Sequence, residues 1–404
     1  MKSNFSKYLL LLTLAIFSFS CSNDDDDADH HLDDTNKEYK YLRLLVSDET
    51  SNELTLVNPF TEEITFFEAK HPKSALYTTE SGRYAALIHR ENNFVETFDS
   101  GYEFHGDHVD AKGTPKFGAM IGTSLLPTHF KSKKGELMTF NDGDGTLSVA
   151  KESDIHTPGA TLQTINTGLL AHHGAMATFS NGTYAITEKD NSITGTLPER
   201  VKVIGADGTT IHASKIATNG IHGNASDGTY AVFGTASGVL VVESNGNQKL
   251  IPVPSGFGTA WFGTILETSI NGKFIGYTAA KGAYLIDVVT DIIEPIFEST
   301  NIMQCKVSYN ESKLGILLHS GELKIFDIAT LSQDNSATVI SNTETTSTQK
   351  PQLIFSERFA YITLPSSGEI IQVNLKNISS TKKLKVSGTP YRLTFIGYEN
   401  SVDH

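Results

Sequence analysis

The chain has 404 residues, 39% of them hydrophobic, and a formal net charge of −14. That acidic balance, with no stripe of Lys and Arg, excludes a nucleic-acid-binding surface, which neutralises phosphates with clustered cations. Two cysteines, Cys21 and Cys305, allow at most one disulfide, and none is expected.

Lys2 and Lys7 precede an apolar run from Tyr8 to Phe19 that is too short to span a bilayer. Ser18-Phe19-Ser20-Cys21 closes it and resembles a bacterial lipobox. Residues 1–20 are therefore expected to be a lipoprotein signal peptide, with Cys21 lipidated. Ser22-Asn23-Asp24-Asp25-Asp26-Asp27 resembles the acidic tether of lipoproteins of the Bacteroidetes type. The expected location is a lipid anchor in the cell envelope, facing the periplasm or the cell surface. Residues 21–38 lack the apolar surface needed to offset ordering entropy and are expected to be a disordered tether. His30 and His31 lie within it, either as part of a solvated spacer or as a weak metal collector.

From residue 39 to the end, short strands alternate with turns, and no helical periodicity is sustained. One unit recurs: a strand, a turn rich in Asn, Asp, Ser or Gly, then a second strand rich in Tyr, Ala, Val or Ile. Ser180-Asn181-Gly182-Thr183-Tyr184 and Ser226-Asp227-Gly228-Thr229-Tyr230 are its clearest copies. Seven such turns, roughly 40 to 55 residues apart, have the period of a propeller blade. Pro390–Ile396 reads as an innermost strand without successors, and Tyr41–Ser47, Leu54–Val57 and Ile64–Phe67 as three strands without an inner partner. Joined, they complete an eighth blade and leave no open edge. The spacing predicts an all-β fold: a single β-propeller over residues 39–404, with eight four-stranded blades, or seven if one outer strand pair is an insertion.

Histidines cluster early in this array. Phe104-His105-Gly106-Asp107-His108 falls in the long segment 99–127. His129, His173 and His222 each precede the turn of a successive repeat, the latter two as His-Gly pairs. Starts of innermost strands crowd one mouth of a propeller channel, so these side chains can converge there. Segment 99–127 is expected to bring His105 and His108 to the same place. Neutral imidazole suits zinc or copper better than magnesium or calcium. Asp107 is either a ligand or the acceptor that orients His105 or His108. His172 is ambiguous, and His71, His89, His156, His212 and His319 lack the pattern. Asn141-Asp142-Gly143-Asp144-Gly145 has a fragment of calcium-loop spacing but reads as a hairpin turn. No nucleophile triad is readable, and Cys305, in an apolar strand, is expected to be a buried thiol.

On the His-Gly-Asp-His motif, the His-Gly strand starts, the propeller repeat and the acidic His-bearing N-terminus, the chain resembles the periplasmic zinc metallochaperones of the AztD type. These are bacterial β-propellers that hand zinc to the substrate-binding protein of a zinc ABC transporter. The resemblance implies zinc as cargo, that binding protein as partner, His105, His108, His173 and His222 as ligands, and His129 as a further candidate. Two features depart from the family: only His30 and His31 stand in the N-terminal stretch, and a lipid anchor is expected. Both point to scavenging as the alternative to delivery. The reading is a monomeric, non-catalytic, extracytoplasmic zinc-binding protein. Its rivals are a His-rich copper or zinc enzyme, with Asp107 as base, and a metal-free interaction propeller at the surface.

Overall fold

Period-two alternation broken by left-handed turn residues gives eight four-stranded antiparallel sheets and one two-stranded hairpin. The computed structural model describes residues 35–402. The signal peptide, the lipidation at Cys21 and the pair His30–His31 lie outside the described residues. The sheets form a ring, an eight-bladed β-propeller, and seven blades are thereby excluded. Blade 1 is closed from both ends of the chain. Its innermost strand Pro390–Gly397 pairs with Leu42–Asp48, with Leu44 opposite Phe395, and Glu53–Asn58 and Glu63–Glu68 follow outward. The innermost strands of blades 2 to 8 are Ala75–Thr78, Pro127–Lys133, Met176–Thr178, Ile221–Ser226, Thr264–Leu266, Ile302–Val307 and Leu353–Phe355.

The core lies between adjacent blades. Leu44, Val46 and Phe395 of blade 1, for example, pack against Phe359, Tyr361 and Ile370 of blade 8. Cys305 is a buried free thiol, and burial pushes it up to about 12. Radial repetition of one motif makes all innermost strands run the same way. They therefore start at one face of the ring, here the entry face, and end at the other, the exit face. Within a blade the third strand runs parallel to the first, so the link from third to fourth strand leaves on the exit face.

The tether ends earlier than its composition suggests. Glu38, assigned to it above, is fully buried. Its carboxylate accepts hydrogen bonds from Ser356 Oγ (2.8 and 3.0 Å), Tyr361 Oη (2.9 Å) and the Tyr39 backbone N–H (3.0 Å). Burial raises its pKa to about 7 against those bonds, and the nearby Glu399 adds to the rise. The native chain thus keeps a proton that the unfolded chain releases near pH 4.5. Stability contributed by Glu38 is complete below that pH and is lost as pH rises to about 7, on the order of 3 kcal/mol. Glu38→Gln is expected to flatten this part of the pH–stability profile, which denaturant titrations at pH 5 and 8 measure directly.

Candidate metal centre

Three of the expected histidines meet at the entry face. His129 lies near the start of Pro127–Lys133, and the pairing with the next strand shifts register between Pro127 and His129. His222 is the second residue of Ile221–Ser226, and a second register shift falls between Ile221 and Asn224. Such bulges re-aim a side chain that regular alternation would point elsewhere. Gly223, at φ +80°, is part of the second bulge, and a Cβ there would lie 2.6 Å from the Gly263 carbonyl oxygen. His173 precedes Met176–Thr178, and Gly174 after it lets the chain pass the Phe140 ring, which a Cβ would approach to 2.2 Å. Those contacts give a physical reason for both His-Gly pairs.

The ring centroids of His129 and His173 are 5.0 Å apart, those of His173 and His222 5.2 Å, and those of His129 and His222 6.1 Å. One nitrogen from each lies within 4.8 Å of the other two. Two of the rings are held from behind. His173 Nδ1 sits 2.7 Å from Asp142 Oδ2, and His222 Nδ1 sits 2.7 Å from the Gly263 carbonyl oxygen. An acceptor at Nδ1 fixes the proton there and leaves Nε2 as a lone-pair donor. Among the described residues, nothing hydrogen-bonds the His129 ring. Burial, then repulsion from His173, lowers its pKa to about 4, so it stands neutral at ordinary pH. Asp142 is buried, yet hydrogen bonds from His173, Thr128 and the Gly174 amide hold its carboxyl below the usual range. Arg90 Nη2 lies 3.4 Å from it.

A tetrahedral zinc with bonds of about 2.0–2.1 Å asks for nitrogens roughly 3.4 Å apart. The triad nitrogens, within 4.8 Å of one another, lie somewhat wider than that. Three imidazoles backed by a carboxylate and a carbonyl form a donor set that fits zinc, with a fourth position left for water or a partner's ligand.

The chain is similar to zinc chaperone AztD. The Citrobacter koseri protein of that name is 23% identical over 378 residues, 89% of this chain and 87% of the relative. A crystal structure of Citrobacter koseri AztD superposes with a TM-score of 0.79 at 19% identity, covering 90% of this chain and 100% of that one. The structure of apo AztD from the same organism gives 0.78 at 18%, covering 89% and 99%. No family model matches the sequence. The AztD resemblance drawn from motifs thus stands at the level of the whole chain, and the AztD fold is the eight-bladed ring described above. AztD is named for a non-enzymatic role.

The His-Gly-Asp-His motif is elsewhere, which corrects the single constellation expected above. His105 and His108 do not join the triad. They sit on a two-stranded hairpin, Tyr102–His105 and His108–Ala111, inserted between the third and fourth strands of blade 2. That link leaves on the exit face. Phe104 packs on Tyr398, just past the end of the innermost strand of blade 1, with ring centroids 5.6 Å apart. The segment entering blade 3 is instead Ser124–Leu126, after the outer strand Lys116–Thr123. Asp107 Oδ1 lies 3.0 Å from His108 Nδ1, in the orienting position, and its side chain is exposed.

Four further histidines have hydrogen-bond partners that account for them. His172 is satisfied at both nitrogens by the Leu170 carbonyl oxygen (2.7 Å) and Thr187 Oγ1 (3.0 Å). His89 meets Glu96 at 2.9 Å, His156 meets Asp99 at 2.6 Å, and His319 meets the Thr343 carbonyl oxygen at 2.9 Å. Asp142 was not among the expected site residues. Its turn was legible, but which carboxylate of Asn141–Gly145 points inward depends on His173, far along the chain.

Proposed function

We propose that the chain is a non-catalytic zinc carrier, with His129, His173 and His222 as the zinc-binding triad at the entry face of the propeller. The observation that carries this is the convergence of three imidazoles from consecutive blades, two of them with Nδ1 anchored so that Nε2 is presented. A closed structural site has four protein ligands, whereas three leave a position for exchange. Exchange is what a carrier needs, since an acceptor's ligand can enter before the zinc leaves. The likeness to a named zinc chaperone supports zinc as cargo and a component of zinc transport, such as a substrate-binding protein, as acceptor. We place the protein, through the lipobox-like Ser18–Cys21 and the acidic run after it, on a lipid anchor in the cell envelope. Delivery and scavenging then share one chemistry and differ in the acceptor.

Equilibrium dialysis of the full chain against zinc, with a competing chelator, tests the reading. One tightly held zinc is expected at the triad, absent from a chain with all three histidines replaced by alanine. Tight zinc retained unchanged in that triple variant would refute the assignment.

A further inference from the structure

The innermost strands of blades 7 and 1 carry a group of hydrogen-bond donors into the channel, away from the triad. In Ile302–Val307 the pairing is regular from Gln304 onward, so Cys305 turns into the core while Gln304 and Lys306 share the other face of the strand. In Pro390–Gly397 the same alternation buries Leu393 and Phe395 against blade 8 and leaves Arg392 and Thr394 on the opposite face. Thr394 Oγ1 lies 2.7 Å from Thr78 Oγ1, next to Tyr77 in the innermost strand of blade 2.

The two cations stand at one depth. Tyr309, three residues past Lys306, reaches across blade 8. Its Oη donates to the Gly397 carbonyl oxygen at 2.9 Å, and its ring centroid lies 5.3 Å from that of Phe395, three residues past Arg392. An equal step toward the entry face along both strands places Lys306 and Arg392 at one level of the lumen. Burial, then repulsion from Arg392, lowers the Lys306 pKa, and the Arg392 charge also opposes the rise that burial gives Tyr77.

Nothing negative answers these charges. Among the described residues, neither cation forms an ion pair, and the Gln304 amide, the Lys306 ammonium and the Tyr77 hydroxyl have no hydrogen-bond partner. The Arg392 guanidinium lies 4.3 Å from the Tyr391 ring centroid, and its hydrogen bond goes to the Tyr391 carbonyl oxygen at 3.4 Å. Lys131, also on an innermost strand, is by contrast held by Glu267 at 3.4 Å and by the Asn224 carbonyl oxygen at 3.3 Å. Confined cations without a carboxylate repel each other and cost stability until an anion joins them.

We propose that Tyr77, Gln304, Lys306 and Arg392 form a binding site for a small oxyanion, of the phosphate or carboxylate class, in the propeller channel. The planar guanidinium matches such an anion with two parallel bonds, the ammonium adds a point charge, and the amide and phenol are neutral donors. Tyr77 is held for this by stacking on Phe130, ring centroids 5.4 Å apart. A set of donors led by two cations rejects metal ions, so the site is distinct from the triad of blades 3, 4 and 5 and does not depend on it. The bound anion supplies the charge that the fold omits and ties blades 7, 1 and 2 together across the lumen.

Calorimetric titration of the zinc-free full chain with sodium phosphate and, separately, sodium acetate, at constant ionic strength, tests it. One anion per chain is expected, with a rise in melting temperature that follows its binding curve. Tighter phosphate assigns the phosphate class, and tighter acetate the carboxylate class. Lys306→Met and Arg392→Met are each expected to weaken binding about ten- to a hundredfold, and Lys131→Met, whose ammonium is already paired, to leave it within about twofold. In anion-poor buffer Lys306→Met is expected to melt at or above the wild-type temperature, because it removes the repulsion from Arg392. No saturable uptake of either anion, uptake that survives in both Lys306→Met and Arg392→Met, or uptake lost in Lys131→Met alone would overturn the proposal. Lys306→Met melting well below wild type in anion-poor buffer would show that the cation is already compensated, and would overturn it equally.

Discussion

His173→Ala is expected to weaken triad zinc binding by about two orders of magnitude, and Asp142→Ala by about ten- to a hundredfold. The first figure takes its scale from closed four-ligand structural zinc sites, where roughly 10–16 kcal/mol over four ligands is about 3 kcal/mol for each. The second is the usual cost of removing an outer partner of a ligating histidine. Asp142 has two effects at the site. It accepts the Nδ1 proton of His173 at 2.7 Å, and it offsets the Arg90 guanidinium at 3.4 Å. Alanine at 142 removes both, releasing the ring to rotate and leaving the Arg90 guanidinium, still held by Glu91, with less opposing charge beside a site for a dication. Asp142→Asn keeps an acceptor for His173 but removes the charge, so its loss is expected to fall between wild type and Asp142→Ala. Chelator-competition titrations give all three affinities, and thermal melts of the zinc-free proteins check that folding is intact. Equal affinity in Asp142→Ala and wild type would sink the orienting role.

That ranking turns on residues of unequal legibility. His129, His173 and His222 were findable because repeat phase alone puts each ahead of the turn in its blade. Their convergence depends on two bulges, between Pro127 and His129 and between Ile221 and Asn224, and no local residue pattern marks them. The His-Gly-Asp-His motif misled for a related reason. Its internal alternation, Tyr102 and Phe104 against Glu103 and His105, is plainly that of a hairpin. Its phase against the blade was hidden, because an insertion after a third strand emerges on the opposite face from an insertion before a first strand. Counting segment 99–127 as one connection moved the motif to the wrong side. Glu38 was lost in an acidic run because composition averages over neighbours, whereas burial is decided one residue at a time by Ser356 and Tyr361, more than three hundred positions away. Blade closure was legible, since both partial blades carry strong strand patterns that neither end can satisfy alone.

Closure sets the second large effect. A chain that stops at Gly388 is expected to lose cooperative folding altogether. The innermost strand Pro390–Gly397 supplies the whole inner ladder of blade 1, from Leu42 opposite Gly397 to Asp48 opposite Pro390. Without it, the buried strand Leu42–Asp48 becomes an edge with unpaired amides and carbonyls, prone to pairing with other chains. Leu393, Phe395 and Ile396, all buried, also leave the cores shared with blades 8 and 2. At about 1.5–3 kcal/mol for each side chain, their burial alone is worth roughly 5–9 kcal/mol, comparable with the 5–15 kcal/mol net stability of a typical domain. Lost ladder bonds and the gap between blades 8 and 2 add to that. Phe395→Ala separates packing from pairing: it keeps the strand and is expected to cost about 3–5 kcal/mol while leaving a cooperative transition. Denaturant unfolding and size-exclusion chromatography read both variants. A truncated chain that melts cooperatively at the wild-type temperature would mean that seven blades close without the eighth. Because the triad lies on blades 3, 4 and 5, zinc binding by a partly folded truncated chain would further show whether those three blades hold their geometry without a closed ring.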